Sequence, residues 1–100
     1  MSQVERENQA VLALVQAMVG AVSRNFRRVS LAIVDDATQL QFVLATESEE
    51  DREEITDVAF LFESLHDHQV NVLVDVVVTP RPLFEIPSLP RVVFALRTED

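Results

Sequence analysis

The stretch from Val29 to Leu44 reads VSLAIVDDATQLQFVL and decides the fold of the chain. On both sides of its centre apolar side chains alternate with other residues, which is the pattern of a strand with one buried face. The residues between the two runs, Asp35 to Thr38, have the chemistry of a turn. The stretch therefore predicts an antiparallel hairpin. One face of it carries Val29, Leu31 and Ile33 in the first strand, and Leu40, Phe42 and Leu44 in the second.

A helix is predicted on either side of this hairpin. Ser2 and Glu5 have the spacing of a capping box, and apolar residues then recur at helical spacing, which predicts a helix over residues 3–23. Small residues form a second face on it (Ala10, Ala17 and Ala21), so we expect this helix to be covered on more than one side. A second helix begins with a similar cap at Ser48 and runs to about His66. Its predicted apolar face consists of Ile55, Val58, Ala59, Phe62 and Leu65.

Two more strands are predicted in the second half of the chain. The first, Val70 to Val78, is long and rich in β-branched residues. We expect it to be central or covered, because such a strand at an open edge favours aggregation. The second runs from Arg91 to Arg97, with Val93 and Ala95 on one face. A Pro-rich connection joins them, and its apolar residues either close an open side of the core or meet a partner: Leu83, Phe84, Ile86 and Leu89.

The order αββαββ predicts one α+β domain over residues 1–100, with two helices packed on a mainly antiparallel four-stranded sheet. The two halves, 1–47 and 48–100, also share short matches. Ser2-x-x-Glu5-Arg6-Glu7 corresponds to Ser48-x-x-Asp51-Arg52-Glu53. An internal repeat and a chance similarity both account for them.

The charge of the chain restricts its partners. Seventeen acidic residues against eight arginines and no lysine give a net charge of −9. Nucleic acid and anionic membrane are predicted not to be partners, because both require basic residues, whereas a basic protein would be attracted. The chain has no cysteine and no sequence typical of a signal peptide, so a cytoplasmic location is predicted.

Nothing in the sequence has the pattern of a catalytic or cofactor site. Gly20 is the only glycine, which leaves no glycine-rich loop to hold a phosphate, and no serine has the surroundings of a nucleophile elbow. His66 and His68 are the only histidines and are more typical of a helix end than of a metal site. We therefore predict a protein that is not an enzyme and has no cofactor and no bound metal.

The densest cluster of charge, residues 47–57, holds seven acids and one arginine. Acids in the first turn of a helix are stabilised by the helix dipole, but that effect fades further along, where like charges four residues apart repel one another. Either the cluster is a solvated face or it binds a cationic partner. Phe60 projects beside Glu53 and Asp57, and either anchors an interface or is covered by the Pro-rich connection. The candidate partner-binding residues are Glu49, Glu50, Glu53, Glu54, Asp57 and Phe60.

Two functions fit these features. The first is a small acidic inhibitor, of the kind that immunity proteins represent, which neutralises a cationic partner through the second helix. The alternative is a secretion-type chaperone or adaptor that acts as a homodimer, with the first helix or an edge strand between the copies.

Overall fold

The computed structural model describes residues 2–97 and has the predicted order of elements. It contains helix α1 (Gln3–Ala17), strands β1 (Phe26–Val34) and β2 (Ala37–Leu44), helix α2 (Glu49–Ser64) and strands β3 (Asn71–Val78) and β4 (Arg91–Ala95). Two helices pack on one mixed sheet of four strands, so the predicted α+β class is confirmed. No helix of the described chain is long and apolar enough to cross a membrane.

The helix starts follow the predicted caps, but α1 ends earlier than predicted. Ser2 Oγ accepts a hydrogen bond from the Glu5 amide at 3.1 Å, and Ser48 Oγ accepts one from the Asp51 amide at 3.2 Å. Helix α1 was predicted to reach residue 23, whereas it ends at Ala17. Gly20 follows with a φ of 81°, a backbone conformation that glycine adopts without steric cost and that an α-helix cannot contain.

The sheet has the order β3-β2-β1-β4, with β1 and β2 in its centre. β1 pairs antiparallel with β2 and with β4, while β2 and β3 are parallel. Of the two alternatives for residues 70–78, a central strand is wrong, because β3 lies at an edge, and a covered edge stays a prediction. The two halves also pair differently, since β1 and β2 form a hairpin whereas β3 and β4 lie at opposite edges. The internal repeat stays a prediction.

Two connections join parallel strands, and they pass over opposite faces of the sheet. Helix α2 connects β2 to β3 on the face that buries the core, and residues 79–90 run back from β3 to β4 over the other face. Such crossovers are nearly always right-handed, so two that run in opposite directions need opposite faces. The helix-side core is filled by alternating strand residues, as predicted: Val29, Leu31, Leu40, Phe42 and Leu44. Phe26, which precedes the predicted strand, joins them, and the predicted Ile33 packs against this core but is only partly buried.

Bulges change which residues of β1 and β4 share a face. The register of β1 shifts between Phe26 and Arg28, so that Phe26 packs in the core while Arg28 points to the opposite face. A second shift, opposite Val29 and Ser30, places both Val93 and Phe94 against the core. The prediction of a regular alternation in β4, with Val93 and Phe94 on different faces, was therefore wrong, since a bulge adds one residue to one strand.

The connection over residues 79–90 covers the second face through polar contacts. Buried Arg28 donates hydrogen bonds to the carbonyl oxygens of Leu83 (3.3 Å) and Ile86 (2.9 Å). The Leu89 amide donates to buried Ser30 Oγ at 3.2 Å. Leu83, Ile86 and Leu89 are half-buried, whereas Phe84 is 88% exposed. The connection therefore covers the face of the sheet opposite the helix-side core, and Phe84 takes no part in this. Leu83, Ile86 and Leu89 do not belong to the core cluster, so the two interpretations of these residues stay predictions.

Candidate functional site

The start of α2 is fixed to the sheet by one buried acid, Asp51. Ser23 Oγ donates to Asp51 Oδ1 at 3.0 Å, and Asn25 Nδ2 donates to Asp51 Oδ2 at 2.8 Å. Asn25 also donates to the Thr46 carbonyl oxygen at 2.8 Å. This network joins the segment before β1 to the segment before α2, and so fixes the direction in which the outer face of α2 points.

A second acid of the cluster is paired on the surface. Arg52 Nη2 donates to Glu47 Oε1 at 2.8 Å, and this hydrogen bond, with a smaller contribution from the charge of Arg52, lowers the pKa of Glu47. Both side chains are solvent-exposed. The only arginine within α2 is therefore paired with an acid that lies just before the N-terminus of the helix.

The remaining five acids of the cluster are the ones that the sequence marked as partner-binding. All are exposed, and none accepts a side-chain hydrogen bond or forms an ion pair within residues 2–97: Glu49, Glu50, Glu53, Glu54 and Asp57. They lie on three successive turns of a rigid helix. We call these five acids together with Phe60 the acidic face.

Phe60 lies on the outer side of α2 and is 75% exposed. It follows Glu53 by seven residues and Asp57 by three, spacings that place the three side chains on one face of a helix. The Pro-rich connection does not cover Phe60, because it lies on the opposite side of the sheet. An exposed ring between carboxylates combines an apolar contact surface with a negative potential, which is the composition of a protein-binding site.

The sequence analysis missed apolar residues that extend this surface. Leu61 is exposed beside Phe60, and Leu65, which was predicted to lie on the buried face of α2, is also exposed and lines a small cleft against Ala13 of α1. On α1 the small face is the one that packs on the core, whereas Leu12 and Val15 point outward. The expectation that α1 is covered on more than one side is therefore not met within residues 2–97.

The two histidines lie away from the acidic face, beside a cleft at the end of α2. His66 and His68 line a cleft of about 310 Å³, together with Arg6 and Asp36. His66 Nδ1 is 2.8 Å from the Phe62 carbonyl oxygen, which accounts for its position at the end of α2. Within residues 2–97, no group of three or more His, Asp or Glu is placed to hold a metal ion.

The model of a family described as MafI2 immunity protein matches residues 7–99. No curated protein sequence matches the chain significantly.

Proposed function

This chain belongs to the MafI2 immunity protein family, and we propose that it neutralises a cationic protein toxin by binding it through the acidic face of α2. Membership of an immunity family implies a protein partner. The observation that supports this surface is that the acids near α2 fall into two groups, those paired within the chain and those exposed. Asp51 and Glu47 are held by the chain itself, while the other five are exposed on the helix that also carries the exposed Phe60 ring.

The proposed mechanism has an electrostatic step and a contact step. The net charge of −9, to which the acidic face contributes five carboxylates, accelerates the encounter with a basic surface, and salt weakens this attraction. Burial of Phe60 then excludes water around the ion pairs and lengthens the lifetime of the complex. Since the start of α2 is anchored through Asp51, little backbone conformational entropy is lost at the acidic face when the toxin binds.

The alternative function, a secretion-type chaperone or adaptor that acts as a homodimer, stays a proposal. The family assignment favours an inhibitor over a secretion-type chaperone. The cytoplasmic location remains a prediction.

A charge-reversal pair tests the acidic face. We expect Glu53→Lys combined with Asp57→Lys to slow association with the toxin about tenfold or more, and to reduce the dependence of the rate on salt. The control is Asp36→Lys combined with Glu85→Lys, which changes the net charge by the same amount at exposed positions outside α2. The toxin is recovered by affinity capture from host cells. It is accepted only if its expression arrests growth and co-expression of this chain restores it.

The measurement is the association rate at several salt concentrations. If the two double variants slow association equally, net charge alone acts and the acidic face is not the binding surface. If neither changes the rate, the electrostatic mechanism is wrong.

A further inference from the structure

Strand β3 leaves an unprotected edge on the sheet. It pairs with β2 along its whole length, from Asn71 opposite Ala37 to Val78 opposite Leu44, without a shift in register. No strand lies on its other side within the described chain. Exposed sheet edges in soluble proteins usually carry prolines, bulges or several charges that prevent pairing, whereas β3 has neither proline nor bulge, and Asp75 is its only charge.

The backbone of β3 shows which residues face this edge. The Thr79 amide donates to the Leu44 carbonyl oxygen at 2.9 Å, so the backbone groups of Thr79 point toward β2. Successive residues of a strand point their N–H and C=O groups to opposite sides. Val72, Val74 and Val76 therefore present their donors and acceptors outward, while Leu73 bonds toward β2. Leu73 and Val74 are 55% and 44% exposed, so the free edge is also apolar.

We propose that β3 pairs antiparallel with β3 of a second copy, with Leu73 of both copies on the twofold axis. This register places Val72 in a hydrogen-bonded pair with the partner subunit's Val74, and all the outward backbone groups of that pair are satisfied. It also places Asn71 opposite Asp75 of the partner subunit, where the amide of one side chain can donate to the carboxylate of the other. The strand is thus complementary to itself.

Other registers lack this complementarity. An axis at Asp75 brings two carboxylates directly opposite one another, which is destabilising. An axis at Val74 places Asp75 opposite Leu73 of the partner subunit, so that an ionised group faces an apolar one. An axis at Val72 places Asn71 opposite the partner's Leu73. Pairing centred at Leu73 avoids each of these contacts.

The proposed dimer is independent of toxin binding. It joins two sheets into one continuous sheet with both α2 helices on the same side, and the acidic faces remain directed away from the strands. Each copy carries −9, so repulsion between copies opposes the pairing and salt strengthens it. Toxin binding through the acidic face responds to salt in the opposite sense, which separates the two interactions.

Disulfide trapping tests the register, because the chain has no cysteine of its own. Directly opposite residues in a non-hydrogen-bonded pair have Cβ atoms about 4.5 Å apart, close enough for a disulfide. We expect Leu73→Cys to form a covalent dimer under mild oxidation and Asp75→Cys alone to stay monomeric. A mixture of Asp75→Cys and Asn71→Cys is expected to link to each other. If Leu73→Cys links no better than Asp75→Cys, the proposed register is overturned.

A proline variant tests the edge itself by sedimentation. The wild type is expected at twice its mass of 11.3 kDa, with a larger dimer fraction in about 0.5 M than in about 0.05 M NaCl. Val74→Pro is expected to be monomeric and still folded, because the lost N–H points away from β2. A wild type that is monomeric at both salt concentrations, or a Val74→Pro variant that remains dimeric, would overturn the proposal. The trapping experiment remains decisive if Val74→Pro does not fold.

Discussion

Phe62→Ala is expected to lower the free energy of unfolding by about 3–5 kcal/mol. The Phe62 ring is fully buried in the core beneath α2, and its centroid lies 4.8 Å from that of His66. Removing the ring leaves a cavity as well as losing buried apolar surface. Phe60→Ala, two residues earlier on the same helix, is expected to change the stability by less than about 0.5 kcal/mol, because its ring is exposed. Urea unfolding of the two variants checks both values, and similar losses would show that α2 is oriented differently.

For toxin binding the expectation is reversed, and the substitution of Phe60 is expected to have the larger effect of the two. If Phe60 is the anchor of the acidic face, Phe60→Ala weakens the complex by about 2 kcal/mol or more, which is roughly a thirtyfold change in Kd. Phe84→Ala is the matched control, since Phe84 is another exposed phenylalanine on the opposite side of the sheet. Equal affinity of the Phe60→Ala and wild-type proteins would remove Phe60 from the interface, whatever the charge-reversal variants show.

The local elements could be predicted because short-range patterns determine them. The alternation in the hairpin gave the buried face of β1 and β2, and the serine caps gave the starts of both helices. On α2, helical periodicity separated Phe60 from Phe62, and the structure places one outside and the other inside. In each case the cause lies within one or two helical turns, or within one hairpin.

The strand order could not be predicted from such patterns. The valine-rich β3 was expected to be central or covered and lies at an edge, whereas β1 and β2, with buried Arg28, Ser30 and Gln41, are the central strands. Polar residues usually indicate an exposed face, but here they donate to or accept from the backbone of residues 83–89. A loop that covers a sheet brings carbonyl and amide groups without partners, and these require polar side chains beneath them.

In the candidate site, too, the features set by local patterns could be predicted, and those set by distant contacts could not. The outward position of Phe60 followed from the helical wheel, but the pairing of Asp51 with Ser23 and Asn25 depends on a contact between segments 26 or more residues apart. In the sequence Arg28 lies close to Arg24 and Arg27, in a segment with the composition of a basic cluster after the first helix. Instead it belongs to β1, and a bulge turns it to the face beneath the Pro-rich connection.

Arg28→Ala is expected to cost about 3 kcal/mol of stability and to loosen residues 79–90. Its guanidinium is buried, which lowers its pKa, with a further contribution from the charge of Arg27, but an arginine stays protonated at neutral pH. It donates to two carbonyl oxygens of the connection and, at 3.2 Å, to Gln41 Oε1. Without it one buried acceptor, on Gln41, and two partly buried carbonyl oxygens lose their donor, and each loss at a buried acceptor costs about 1–3 kcal/mol.

The consequence for the connection can be measured at one amide. The Leu89 N–H, which donates to Ser30 Oγ beneath the connection, is expected to exchange with solvent faster in Arg28→Ala than in the wild type. Arg24→Ala is the control, because Arg24 is exposed, and it is expected to change stability by less than about 0.5 kcal/mol. If Arg28→Ala is as stable as Arg24→Ala, then Leu83 and Ile86 hold the connection by apolar contact alone. Arg28 would then be a buried charge that the fold tolerates, because the carbonyl oxygens above it replace the water it has lost.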